Sequence, residues 1–194
     1  MQQHNKKHQA TRFHFLLGIG LSTLSVLFNI AQAQQVTVNF TGTVTAANCT
    51  IQNGTAITVP LGTVKVSDFT AEQQEVTGST RTVEVNLTNC PANSKITLQL
   101  AGEQDPSNPG VRRLKINSGP NMATGIAIAP RYIDSAGVSS WLGVGAGALT
   151  TQISADANGS AKFQIGGTLV KRAADIPVTA GQVMASMTMT LTVN

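Results

Sequence analysis

Two stretches near the ends of the chain alternate strictly between apolar and polar side chains. From Gln35 to Ala46 every even position is apolar or small (Val36, Val38, Phe40, Gly42, Val44, Ala46) and every odd position is polar. From Val183 to Asn194 the apolar set is odd-numbered: Val183, Ala185, Met187, Met189, Leu191 and Val193. A period of two predicts strands with one face in a core. Shorter runs repeat the pattern: Val83, Val85 and Leu87 within 81–88; Ile96, Leu98 and Leu100 within 95–100; the alternation of 124–129; and Ala161, Phe163 and Ile165 within 161–165. Turn-forming clusters punctuate them at 105–110, 117–120 and 156–159. After residue 33 no stretch carries a helical period, and 67–76 offers one turn at most. With no repeat and no linker, the pattern predicts one all-β domain of sandwich type.

The first 33 residues follow another logic. Met1 to His14 is polar and basic, Phe15 to Ile30 is mostly apolar, and Ala31-Gln32-Ala33 is a small-residue exit. These are the three parts of a secretory signal peptide. The apolar run is too short, and too rich in Gly, Ser, Thr and Asn, for a membrane span of about 20 residues. The expected organisation is a signal peptide over 1–33 and an exported remainder, with no stable membrane insertion.

Composition sharpens this. The chain has 13 Lys and Arg against 9 Asp and Glu, but three of the basic residues (Lys6, Lys7, Arg12) and no acid precede residue 34. The remainder is sparsely and almost evenly charged, which argues against a nucleic-acid surface. All three His also lie before residue 34. His-based triads, His general acids and His metal sites are therefore excluded from the exported part. No Ser is followed by Lys three positions on. Asp68, Glu72, Glu75 and Glu84 read as solvated surface. Gly143-Val144-Gly145-Ala146-Gly147 lacks dinucleotide-binding spacing. No enzyme, cofactor or metal site is expected.

Two cysteines, Cys49 and Cys90, allow one intramolecular bridge. Export makes the disulfide the default, with two buried free thiols as the other reading. Trp141 and Tyr132 are the only Trp and Tyr. Either ring could stack on a sugar, but a lone Trp in a sandwich more often fills the core.

The ordered set of features resembles the subunits of chaperone–usher fimbriae, of the type 1 fimbrial pilin kind and major-subunit type. An alternating segment containing a Gly (Val38 to Val44) leads into Cys49-Thr50-Ile51. Then follow Val59-Pro60-Leu61-Gly62-Thr63-Val64, a strand ending on Cys90, the glycine-led Gly125-Ile126-Ala127-Ile128, and Gly181 before an alternating last strand. Two positions depart from the family pattern. Val193 stands where such pilins usually carry a penultimate aromatic, and Gly166-Gly167 stand where an aromatic often follows the Phe.

The resemblance implies an immunoglobulin-like sandwich lacking its last strand, over residues 47–194, preceded by a donor-strand extension over 34–46. Its implied donor residues are Val36, Val38, Phe40, Gly42 and Val44. Its implied acceptor groove is lined by Phe163 and Ile165 on one strand, Met187, Met189, Leu191 and Val193 on the last, and Gly181. The implied partners are a periplasmic chaperone, an outer-membrane usher and further copies of this or related pilins, joined into a surface filament by strand addition. The alternatives are an exported carbohydrate-binding adhesin module and a minor adaptor or tip pilin. A receptor-binding domain before the pilin domain would need more chain than is present.

Overall fold

The computed structural model describes residues 34–194 apart from 46–48, 53, 55, 108–109 and 146–147, with residues 34–45 described by their backbone. The signal-peptide reading falls on residues outside this range, as does Ala46.

Eleven strands make two facing sheets. They are β1 (Gln34–Thr45), β2 (Thr50–Ile51), β3 (Ala56–Val64), β4 (Arg81–Thr88), β5 (Lys95–Gly102), β6 (Leu114–Lys115), β7 (Ile126–Ile133), β8 (Ser139–Trp141), β9 (Thr150–Ser154), β10 (Ala161–Lys171) and β11 (Val183–Val193). The first sheet runs β3-β1-β11-β5-β9 and the second β2-β4-β10-β7-β6, with β8 also on β7. The one helical element among the described residues is a 3-10 turn at Val66–Asp68.

The alternating runs become half-buried strands because one face of each meets the opposite sheet. On β11, Val183, Ala185, Met187, Met189 and Leu191 are buried; on β5, Ile96, Leu98 and Leu100 are. They join Val85, Leu87, Phe163 and Ile165 of the second sheet in one core. Tyr132 belongs to that core, its ring centroid 5.8 Å from that of Phe163.

Alternation fails in β7 and in the second half of β10, where consecutive residues are buried on both faces. Ala127, Ala129 and Val170 form a small buried cluster separate from the main core. Gly125, which opens β7, has φ +73°, and a Cβ there would sit 2.4 Å from the Pro177 carbonyl oxygen. Only glycine fits that left-handed, crowded turn.

Candidate assembly site

β1 lies between β3 and β11 and, among the described residues, is the only strand linking them. Its ladder with β11 is parallel and covers ten positions, from Val36↔Val183 to Thr45↔Thr192. Its ladder with β3 is antiparallel, from Gln34↔Val64 to Thr41↔Ala56. Every other ladder between these strands is antiparallel. Without β1, β3 would have no partner in this sheet, and β11 would present an unpaired row of N–H and C=O groups along one edge.

The five expected donor positions fall in register with the buried side of β11. Val36 stands opposite Val183, Val38 opposite Ala185, Phe40 opposite Met187, Gly42 opposite Met189 and Val44 opposite Leu191. Met187 and Met189 are buried, and their flexible thioethers can repack around different occupants. Val193 lies one step past the ladder, half-buried against the core and paired with Ile96.

Two residues expected to line an acceptor groove lie in the sheet opposite β1. Phe163 and Ile165 sit on β10 in the second sheet, paired with Val85 and with Val83 and Tyr132 of its neighbours, so they do not flank β1. Both are buried core residues. The strand that flanks β1 opposite β11 is β3, whose Ile57, Val59, Leu61 and Val64 are buried. Its signal was legible: Ile57, Val59 and Leu61 alternate with exposed residues. Pro60 is tolerated because β3 is an edge strand. Leu61 is the extra residue of a bulge between Val36 and Thr37 of β1.

Gly181 lies two residues before β11. A Cβ there would approach Ala123 N at 2.4 Å. The neighbouring Gln182 N–H donates to the Asn121 carbonyl, and Ala123 N–H donates to that of Gln182, each at 2.8 Å. Gly181 lets the chain pass this loop closely.

Cys49 and Cys90 form a disulfide that closes a 41-residue separation. The bridge ties the segment that leads into β2 to the end of β4, next to the β2–β4 pairing. Charge is absent from the three strands of the site: β1, β3 and β11 contain no Asp, Glu, Lys or Arg. No ion pair can therefore form between these three strands. Among the described residues no helix is long and apolar enough to cross a membrane.

The family model described as "Fimbrial protein" matches residues 38–194. No curated protein matches the sequence. Among solved structures, the CupB6 tip adhesin of Pseudomonas aeruginosa is similar at a TM-score of 0.42 and 10% identity, over 84% of this chain and 42% of the adhesin. This chain thus spans less than half of that adhesin's length.

Proposed function

Because the chain belongs to the fimbrial protein family, a group of structural and adhesive proteins of the bacterial surface rather than enzymes, we propose that it is a shaft-type (major) pilin. In this reading it polymerises head to tail when residues 34–46 of one subunit fill the groove between β3 and β11 of the next. One observation carries the reading. A single uncharged strand at the chain's N-terminal side closes the sheet between two strands that are otherwise unconnected, and it does so in the one parallel ladder. A parallel partner cannot be supplied by a tight hairpin, and parallel pairing is slightly weaker per residue. The same groove can therefore take a strand from elsewhere. An open groove would be an aggregation hazard, which is the reason for a periplasmic chaperone that fills it before an outer-membrane usher delivers the subunit. Repeated head-to-tail contacts give an open filament, not a closed ring.

The test compares polymer formation by three chains of residues 34–194, measured by light scattering after size exclusion. The unaltered chain forms concentration-dependent oligomers. A chain lacking 34–46 forms none that are ordered. A chain with a second copy of 34–46 joined after Asn194 by a flexible linker fills its own groove and stays monomeric. Equal polymerisation of the first and third chains would refute strand donation.

A further inference from the structure

A cluster of charged side chains gathers beside the second sheet, around Arg131 of β7. Arg131 pairs with Glu75, which itself bridges to Val170. Arg172 Nη2 lies 2.6 Å from Asp105 Oδ1. Arg113, only 3% exposed, donates through Nη2 to the Gln73 carbonyl at 3.0 Å. Gln73 Nε2 donates in turn to the Arg172 carbonyl at 2.5 Å. The Arg113 and Arg131 guanidinium carbons stand 5.3 and 4.9 Å from the centroid of the Trp141 ring. Trp141 is not a core residue. It sits on β8, a short strand whose three residues are all exposed, with 37% of its own surface open.

Two features separate this cluster from a closed structural lock. Three guanidiniums meet two carboxylates, which leaves one positive charge without a counterpart. The donors are also underused: among the described residues, buried Nε and Nη1 of Arg113, Nε of Arg131 and Nε of Arg172 have no acceptor. Buried polar groups are nearly always paired, and each buried N–H without an acceptor leaves part of the desolvation cost unreturned although every guanidinium has one partner. Water could accept from a lone N–H, but it cannot balance the charge. Burial pushes the Arg113 guanidinium below its ordinary range, and the Glu75 and Asp105 charges push it back.

We infer that the cluster of Arg113 and Arg131 beneath Trp141 is a binding site for a carboxylate-bearing ligand. The carboxylate supplies the missing negative charge and accepts from the unpaired guanidinium N–H groups. Trp141, partly exposed, stands over both guanidiniums. An acidic sugar uses the site most fully, because its ring then lies against the indole. The site is remote from the groove between β3 and β11, and the inference does not depend on polymerisation.

Trp141 is the only Trp in the chain, so tryptophan fluorescence, excited beyond the tyrosine absorption band, reports on this site alone. The intact protein is titrated at constant ionic strength with sodium glucuronate, sodium acetate, glucose and sodium chloride. Glucuronate should give a saturable change, acetate a weaker one, and glucose and chloride none. Arg113→Gln should weaken glucuronate binding about tenfold or more. If that variant fails to fold, Arg131→Lys, which keeps the charge but loses the planar fork, should weaken it as well. No saturable response to glucuronate, the same response to chloride, or a response to glucose alone would overturn the inference.

Discussion

Tyr132 shows how burial sets chemistry at a single position. It is buried against Phe163, and desolvation, helped by the Asp134 charge, raises its pKa above the ordinary value near 10. The folded state therefore favours the neutral phenol. Its contribution to stability is fully present below the unfolded pKa and is lost as pH rises through the folded one. Because Tyr132 is the only Tyr, near-ultraviolet phenolate absorbance titrates it alone. The folded protein should ionise at a higher pH than the denatured chain; equal midpoints would contradict the burial argument. Trp141 teaches the converse. Composition favours a core Trp, yet the ring lies outside the sandwich because two arginines hold it over the second sheet. No sequence period announces such a contact, since Arg113 and Arg131 come from different loops and strands.

At the scale of elements, the legible strands were those with one buried face. The runs at 81–88 and 183–194 coincide with β4 and β11, because alternation is a direct image of a sandwich wall. β7 and β10 were read short because both of their faces are covered and the period disappears. β6 and β8, two and three residues long, leave too little sequence to show any pattern. The groove was half legible. The strand β11 and the positions of β1 that meet it follow from two matching alternations. That β3 and not β10 flanks β1 depends on which sheet each strand joins, and alternation cannot specify that. A testable consequence concerns β1 itself. Asn39 stands opposite both Thr58 and Ser186, so Asn39→Pro removes an N–H from a strand with neighbours on both sides. The change leaves the apolar set intact. It should cost about 1–3 kcal/mol in urea unfolding; an unchanged midpoint would mean that β1 does not hold the sheet together.

For the whole molecule, the central claim is that the sandwich is completed by a separable strand. The disulfide ties Cys49 to Cys90 without involving β1, and the three strands of the site carry no charge. Strand binding should therefore be almost independent of salt, unlike a contact built on ion pairs. The most direct measurement is thermal unfolding of residues 47–194, disulfide formed, with and without a synthetic peptide of residues 34–46. The account predicts a poorly stable, aggregation-prone chain that the peptide converts into a cooperatively melting one. A peptide carrying Phe40→Asp should fail to do so at any ionic strength. If residues 47–194 instead melt cooperatively at the same temperature with and without the peptide, the sandwich is complete on its own and the account of strand donation is wrong.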